Sequence, residues 1–251
     1  MLDFTNKNVI ITGGSRGIGA AAVKLFARLN ANVSFNYHSN KNAADVVMNQ
    51  INSFGAKYIA EKCDISDPDQ IKLFVENTLN TFSSIDILVN NAGIWEYGAI
   101  DTMSAEEWRR TMQTNLDSVF YFTQLVVNAM KKGKSGGRII NIASTAGQRG
   151  ESFHSHYAAS KGAIISFTKS LATELGPEDI LVNCVAPGWV DTDMSHEAIL
   201  ETGEKIRDLI PLKKIPDAEE LAGPIVFLAS EWATAITGEI LNVNSGSVLC
   251  G

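Results

Sequence analysis

The amino-acid sequence predicts an α/β protein in which helices cover both faces of one doubly wound, seven-stranded parallel sheet. Short apolar runs rich in β-branched residues alternate with helix-forming segments along the chain. Such alternation is typical of parallel sheets, because each crossover between parallel strands carries a helix. No repeat, low-complexity tract or linker interrupts the pattern, and 251 residues with 45% hydrophobic content can fill one core. We therefore expect a single domain over residues 1–251.

The boundaries of the predicted elements come from hydrophobic periodicity and from helix start and stop signals. Ser104 with Glu107 is a capping box that opens a long helix ending near residue 132. Gly176-Pro177 ends a later helix at about residue 175. After the sixth predicted strand, an irregularly amphipathic stretch predicts a substrate lid over about 193–212. The predicted strands are 8–12, 32–36, 57–63, 85–89, 139–143, 180–185 and 239–243, and the other helices are 20–29, 42–54, 69–82 and 217–230.

The acidic balance of the chain argues against nucleic-acid binding. The formal net charge is −7 and the pI about 5.1, whereas a nucleic-acid-binding face needs clustered Lys and Arg. No apolar stretch has the length of a membrane span, and residues 1–7 lack the features of a signal peptide. Cys63, Cys184 and Cys250 have no zinc-ligand spacing, and we expect Cys63 and Cys184 to be buried thiols. These features predict a cytoplasmic protein that needs no metal.

A glycine-rich turn joins the first predicted strand to the first predicted helix. It reads Gly13-Gly14-Ser15-Arg16-Gly17-Ile18-Gly19. Glycines let a ligand approach the backbone, and the N-terminus of the helix offers free N–H groups and the positive end of the helix dipole. We predict that this turn binds the diphosphate of a dinucleotide; the alternative is a purely structural strand-to-helix turn.

The end of the second predicted strand indicates which dinucleotide is bound. A carboxylate there would accept a hydrogen bond from the 2′-hydroxyl of the adenosine ribose and would repel a 2′-phosphate. Residues 36–41 read Asn-Tyr-His-Ser-Asn-Lys and contain no acid, and Arg16 lies in the preceding glycine turn. Both features favour NADP(H) over NAD(H); the alternative is that Arg16 is only a solvated loop charge.

Tyr157 and Lys161 are the central catalytic candidates, because residues spaced i and i+4 share one face of a helix. Ionising a free tyrosine at pH 7 costs about 4 kcal/mol. A cation about 4 Å away supplies on the order of 4 kcal/mol at an effective dielectric of ~20. The alternative is a packed tyrosine beside a solvated lysine. Asp64 and Ser144 each follow a predicted strand, where α/β sheets bind ligands, and Asn115 is a poor helix former inside a predicted helix.

The motifs match a known family in their order and spacing. They are Thr12 to Gly19, Asp64, Asn90-Asn91-Ala92-Gly93, Asn115, Ser144, Tyr157-Ala158-Ala159-Ser160-Lys161, and Pro187-Gly188 with Thr192. Along essentially its whole length the chain resembles the classical short-chain dehydrogenases/reductases, and among them the 3-oxoacyl-[acyl-carrier-protein] reductase type. The resemblance implies a Rossmann fold, a homotetramer, and hydride transfer between NADP(H) and a carbonyl or secondary alcohol.

The resemblance also implies a role for each catalytic candidate. Ser144 would hold the substrate oxygen, and Tyr157 would donate a proton to that oxygen or take one from it. Lys161 would lower the pKa of the phenol and bind the nicotinamide ribose, while Asn115 would hold a water that relays protons. The implied cofactor contacts are Gly13, Ser15, Arg16, Gly17, Ile18, Gly19, Asn36, Tyr37, Ser39, Asp64, Ile65, Asn91, Ala92, Gly93, Tyr157, Lys161, Pro187, Gly188, Val190 and Thr192, with Asp64 at the adenine and Thr192 at the carboxamide.

An aromatic set near the catalytic residues is expected to contact the substrate. The candidate substrate contacts are Trp95, Phe153, His154 and Trp189, together with Ser144 and Tyr157. Two positions depart from the family pattern. Ser245 replaces a glycine after the last strand, and Thr173 stands where carrier-protein reductases commonly have a basic residue, although Lys131, Lys132 and Lys134 remain available to an acyl carrier protein.

Two alternatives to a 3-oxoacyl reductase remain open from the sequence. One is a sugar or other small-alcohol dehydrogenase of the same family, because the predicted lid and the loop that carries Trp95 would set the choice of substrate. The other is a catalytically silent NADP(H)-binding sensor. A sensor is expected to have lost part of its catalytic set, whereas Ser144, Tyr157 and Lys161 are all present here.

Overall fold

The strands of the protein form one parallel sheet. The computed structural model describes residues 2–134 and 136–249. Its strands are β1 (Asn8–Ile11), β2 (Asn32–Tyr37), β3 (Tyr58–Lys62), β4 (Ile87–Asn90), β5 (Gly137–Ile142), β6 (Ile180–Pro187) and β7 (Ile240–Val243). Over the described ranges these seven strands pair in the order β3-β2-β1-β4-β5-β6-β7, every pair parallel. The predicted sheet is confirmed, and its strand order reverses between β1 and β4, where open α/β sheets bind ligands.

The helices lie close to the predicted ranges, with three differences. They are α1 (Gly17–Arg28), α2 (Lys41–Asn52), α3 (Pro68–Phe82), α4 (Ala105–Met112), α5 (Ser118–Gly133), α6 (Thr145–Arg149), α7 (Ser155–Leu175), α8 (His196–Leu209) and α9 (Ala218–Ala229). The long helix predicted to end near residue 132 is instead two helices joined by a π-helical turn at Gln113–Asp117. The irregularly amphipathic stretch predicted as a lid contains α8, and neither α8 nor the short α6 was predicted as a helix.

Two hydrophobic cores cover the two faces of the sheet, because successive side chains of a strand point to opposite faces. In β1, Val9 and Ile11 pack with α1, α2 and α9, whereas Ile10 packs with α3, α5 and α7. Both cores include fully buried aromatic residues, such as Phe26 on α1 and Phe74 on α3. Strands buried on both faces explain the nearly continuous apolar runs that the sequence shows at these positions.

The cysteines agree with the prediction of buried thiols. Cys63 and Cys184 are free and buried, and burial raises the pKa of each thiol to about 12. Cys250 lies outside the described residues. Within the part of the chain that the structure describes, the helices are too short or too polar to cross a bilayer.

Candidate active site

The loops after the carboxyl ends of β1 to β6 enclose a cleft of about 560 Å³. The predicted site residues that line it are Gly13, Ser15, Arg16, Gly17, Ile18, Asn36, Tyr37, Asp64, Ile65, Asn91, Ala92, Gly93, Trp95, Ser144, Tyr157, Lys161, Pro187, Gly188, Trp189, Val190 and Thr192. The lining does not include Gly19, Ser39, Asn115, Phe153 or His154. The structure therefore gathers most of the predicted residues into one cleft at the switch point of the sheet.

The glycine turn has the geometry of an anion cradle. Gly13 and Gly17 have positive φ angles of 67° and 53°, which glycine adopts without steric cost. A Cβ on Gly19 would lie 2.3 Å from the carbonyl oxygen of Gly13, so Gly19 is a packing residue beneath the turn. Arg16 is the N-cap of α1, but its side chain does not cap the helix. The N–H groups of the first turn are therefore left for an anion, which fits the diphosphate of a dinucleotide.

Side chains at the carboxyl ends of the central strands hold the floor of the cleft together. The Thr12 hydroxyl accepts hydrogen bonds from the N–H groups of Asn91 and Ala92, each at 2.9 Å, and Asn91 Nδ2 donates to the Thr12 carbonyl at 2.9 Å. Asn36 Oδ1 accepts from the Gly13 N–H at 3.0 Å, and its Nδ2 donates to the Cys63 carbonyl at 3.1 Å. Asn36 and Asn91 were predicted as cofactor contacts, but their side-chain amides serve to fix the loops that surround the cofactor cleft.

Two basic side chains stand at the adenosine end of the cleft. Arg16 is 62% exposed and lies 4.0 Å from Asp193. His38 was not among the predicted contacts, but it lines the cleft with its Nε2 3.6 Å from Asp64 Oδ2. Its position directly after β2 is the sequence signal that could have identified it. Hydrogen bonds from the backbone and side chain of Ser66, the backbone bond first, hold the pKa of Asp64 below its usual value. The basic groups at this end fit a 2′-phosphate.

Ser144 and Tyr157 form the acid–base end of the cleft. Ser144 is the N-cap of α6, and its Oγ accepts a hydrogen bond from the Ala146 N–H at 3.1 Å. Burial raises the pKa of Tyr157 to about 12; hydrogen bonding with Ser144 opposes this rise, and the negative charge of Glu151 adds to it. The phenol is therefore neutral at pH 7 and has a proton to donate.

Lys161 is the residue expected to bring the pKa of the phenol toward neutral pH. Its Nζ donates to the Ile142 carbonyl at 2.8 Å and lies 5.7 Å from the centre of the Tyr157 ring. The side chain is buried, and burial lowers the pKa of Lys161 to about 8. Desolvation disfavours the charged form of both groups. Desolvation is the largest cause of both pKa shifts, and the lowering of the phenol pKa by Lys161 stays a prediction.

Asn115 occupies the π-helical turn between α4 and α5 and is fully buried. Its Oδ1 accepts from the Ile94 N–H at 2.8 Å, and its Nδ2 donates to the Ile94 carbonyl at 2.9 Å and to Ser160 Oγ at 3.3 Å. The residue therefore ties the loop after β4 to the helix that carries Tyr157 and Lys161. π-Helical turns are often found at functional sites, and the water-holding role of Asn115 stays a prediction.

Trp95 and Trp189 form the aromatic wall of the substrate end. The two rings meet edge to face with centroids 5.8 Å apart, and His154 stacks on Trp95 at 4.5 Å. His154 therefore supports Trp95 and does not line the cleft itself. Phe153 stacks on Tyr97 at 5.6 Å, and both rings are largely exposed at the rim.

Glu151 is a residue of the substrate end that the sequence did not reveal. It lines the cleft, and its Oε1 accepts a hydrogen bond from Trp95 Nε1 at 3.2 Å. The loop that carries Glu151 joins α6 to α7, so its direction depends on a helix that the sequence did not predict. Arg110 and Arg149 also line this end of the cleft.

Comparisons with known proteins agree with this geometry. The profile of a family described as enoyl-(acyl carrier protein) reductase matches residues 13–247. A 3-oxoacyl-[acyl-carrier-protein] reductase of Synechocystis sp. is 40% identical over 99% of this chain and 100% of its own length. A Brucella melitensis structure titled short-chain dehydrogenase/reductase SDR:glucose/ribitol dehydrogenase is 33% identical, with a TM-score of 0.92 over 99% of both chains. A Burkholderia cenocepacia short-chain dehydrogenase in complex with NADP is 32% identical, with a TM-score of 0.90 over 97% of this chain and 98% of its own. The protein belongs to the short-chain dehydrogenase/reductase family.

Proposed function

We propose that the protein is an NADP(H)-dependent reductase of 3-oxoacyl thioesters. The observation that carries this proposal is the meeting of Ser144, Tyr157 and Lys161 with the glycine turn in one cleft. A cradle for a dinucleotide beside a neutral phenol is what the reduction of a carbonyl group requires.

The catalytic groups have complementary roles in this reduction. When bound, NADPH supplies the hydride that the carbonyl carbon receives. The Ser144 oxygen already accepts the Ala146 N–H, so its hydroxyl proton is available to the substrate oxygen. Tyr157 gives its proton to the same oxygen, which completes the alcohol. Lys161 lies in the floor of the cleft, where its ammonium would hold the hydroxyls of the nicotinamide ribose.

The preference for NADP(H) over NAD(H) rests on the adenosine end of the cleft. Arg16 and His38 are the basic groups there, and residues 36–41 supply no carboxylate to repel a 2′-phosphate. The NADP found in the Burkholderia cenocepacia structure supports the same cofactor. Asp193 lies 4.0 Å from Arg16, so we expect Arg16 to exchange this exposed partner for the phosphate.

The 3-oxoacyl substrate rests on the name of the Synechocystis relative and on the acid–base end of the cleft. An acyl carrier protein is the corresponding partner. Lys131, Lys132 and Lys134 at the end of α5 are exposed basic groups, but within one chain they lie at the sheet edge opposite the cleft, because α5 leads into the start of β5, and Lys131 lies 3.4 Å from Glu178. The Brucella melitensis relative supports a sugar or other small alcohol as the second candidate substrate.

Exposed apolar side chains and free thiols support proposals for the oligomeric state and the cellular location. A homotetramer is supported by apolar side chains left exposed on the surface, among them Phe120 on α5 and Trp232 before β7, which are 43% and 66% exposed. A cytoplasmic location is supported by the two free thiols.

The single domain is proposed to span residues 1–251, with a lid at about 193–212. Met194 at the cleft and the exposed Leu200 on α8 support that lid.

The test is a substrate screen that follows the absorbance of the reduced cofactor. The panel contains a 3-oxoacyl thioester, the matching 2-enoyl thioester, a diketone, and sugars with the oxidised cofactor, each with NADP(H) and NAD(H). We expect the 3-oxoacyl thioester with NADPH to give the highest kcat/KM. A higher value for a sugar would favour the second candidate, and tight NADPH binding without turnover of any compound would indicate a sensor.

A further inference from the structure

Glu151 is a carboxylate held inside the substrate end of the cleft. Its side chain is 25% exposed, and Oε1 is fixed by the indole N–H of Trp95 at 3.2 Å. Among residues 2–134 and 136–249, no side chain or backbone N–H donates a hydrogen bond to the other oxygen, Oε2. One oxygen therefore positions the carboxylate through Trp95, and the carboxylate belongs to a residue that lines the cleft.

The neighbouring basic side chains do not fully neutralise the negative charge of Glu151. His154 Nδ1 lies 3.8 Å from Oε1, but it is also 3.0 Å from the Ser152 carbonyl, which is an acceptor for an Nδ1 proton. Arg110 is paired with Glu96, and Arg149 is exposed to solvent. Charges in contact with water are screened, whereas partly buried charges are screened much less. The negative charge of Glu151 therefore acts inside the substrate end of the cleft, and it adds to the raised pKa of Tyr157, while the buried ammonium of Lys161 lies 5.7 Å from the centre of the Tyr157 ring.

We propose that Glu151 is a specificity-determining residue that excludes substrates with a negative charge near the reacting carbon. A 3-oxoacyl ester or thioester is then reduced, whereas the corresponding free 3-oxo acid is rejected. This inference rests on the proposed function and adds a substrate class to it: neutral 3-oxo compounds.

The physical basis is the placement of a fixed charge in a site with apolar walls. Trp95 contacts Glu151 and packs against Trp189, so apolar surface lies beside the carboxylate, and repulsion between two carboxylates grows as the effective dielectric falls. An ester or thioester places an uncharged carbonyl where a free acid would place a carboxylate. The repulsion from Glu151 therefore weakens the binding of the free acid and leaves the ester or thioester unaffected. The site selects its substrate by repelling the wrong one as well as by binding the right one.

The experiment compares ethyl 3-oxobutanoate with 3-oxobutanoate, which share the reacting ketone and differ by one charge. The ratio of kcat/KM for ester over acid is measured with NADPH at pH 7 for the unaltered protein and for Glu151→Gln. Glutamine keeps the shape and an oxygen for Trp95 Nε1, but it removes the charge. Glu106→Gln, an exposed charge on α4, is the matched control.

We expect a ratio of at least 100 in the unaltered protein, a fall of at least tenfold in Glu151→Gln, and no change in Glu106→Gln. The fall should come from faster reduction of the acid. The ascending limb of the pH profile for alcohol oxidation should also move to lower pH in Glu151→Gln, a change that a purely structural role would not cause.

The unaltered protein supplies a second measurement that does not depend on the variant folding. Ethyl 3-hydroxybutanoate should inhibit at least tenfold more strongly than 3-hydroxybutanoate. Equal inhibition, or an unchanged kcat/KM ratio in a folded Glu151→Gln, would overturn the role of Glu151 and leave the proposed function standing. Failure to reduce any 3-oxo compound would overturn both.

Discussion

The backbone carbonyl carbon of Lys161 lies 2.5 Å from the point that a Cβ on Gly147 would occupy. Helices α6 and α7 cross at this point with no space for a side chain. Because α6 begins after Ser144 and α7 carries Tyr157 and Lys161, the crossing sets the positions of the three proposed catalytic groups relative to one another.

Gly147→Ala is therefore expected to separate α6 from α7. Overpacking of this kind costs about 1–3 kcal/mol of stability, and displacement of Ser144 from Tyr157 should lower kcat by at least about tenfold. Urea denaturation and steady-state kinetics measure the two effects. Gly223→Ala in α9 is the control, because a Cβ there meets nothing within 4 Å and should leave both quantities unchanged or raise stability slightly. Equal behaviour of the two variants would contradict the importance of the crossing.

Arg16→Ala tests the site for the 2′-phosphate. Removing a guanidinium that binds phosphate should raise KM for NADPH by about tenfold or more, and should leave KM for NADH nearly unchanged, because a charge-assisted contact is lost with one cofactor only. Asp193→Asn removes the competing carboxylate 4.0 Å away and should leave KM for NADPH equal or lower. An equal change in KM for NADPH and for NADH in Arg16→Ala would show that Arg16 does not bind the 2′-phosphate.

Lys161→Met should stabilise the protein while it abolishes turnover. Burial lowers the pKa of Lys161 from its usual 10.5 to about 8, so below pH 8 folding must bury a charged ammonium. As the pH rises from 8 to 10.5 the unfolded chain binds more protons than the folded one, and the penalty disappears. At pH 7 we expect a gain of about 2 kcal/mol after allowing for the lost hydrogen bond. Unfolding free energies that showed no gain at pH 7, or the same gain at pH 7 and 10, would contradict this.

Asn115→Leu tests whether the amide in the π-helical turn anchors the loop at Ile94. The substitution leaves the partly buried N–H and carbonyl of Ile94 without their Asn115 partners, which costs up to about 1–3 kcal/mol each. Urea denaturation should show this loss, and loosening of the loop beside Trp95 should raise KM for the ketone. Asn128→Leu on the exposed side of α5 should change stability by less than about 0.5 kcal/mol. Similar losses in both variants would show that the anchor is unimportant.

The elements that bury apolar side chains on both sides were the most predictable part of the fold. Strands such as β1 are short, β-branched and bounded by turn residues, so local sequence is enough to locate them. The glycine turn was predictable for a similar reason, because positive φ at Gly13 and Gly17 requires glycine. The gathering of Ser144, Tyr157 and Lys161 at one edge follows from the parallel topology, since loops after neighbouring strands meet there.

The parts that the sequence did not predict depend on contacts between distant segments. Asn115 in the π-helical turn bonds to Ile94, which is 21 positions earlier in the chain. The role of Glu151 depends on Trp95, which belongs to a different loop. The high pKa of Tyr157 arises mainly from its burial in the folded protein. The spacing of Tyr157 and Lys161 on a helix carries no information about this desolvation.

The reduction of a 3-oxoacyl thioester by Tyr157→Phe tests the central claim most directly. Cofactor binding is measured in parallel by the change in NADPH fluorescence, and Tyr58→Phe on β3 is the control. General acid catalysis contributes about 10²–10⁴-fold, so kcat should fall by at least about 100-fold in Tyr157→Phe while NADPH affinity and the control stay near the unaltered protein. Activity within a few-fold of the unaltered protein would show that Tyr157 is not the proton donor.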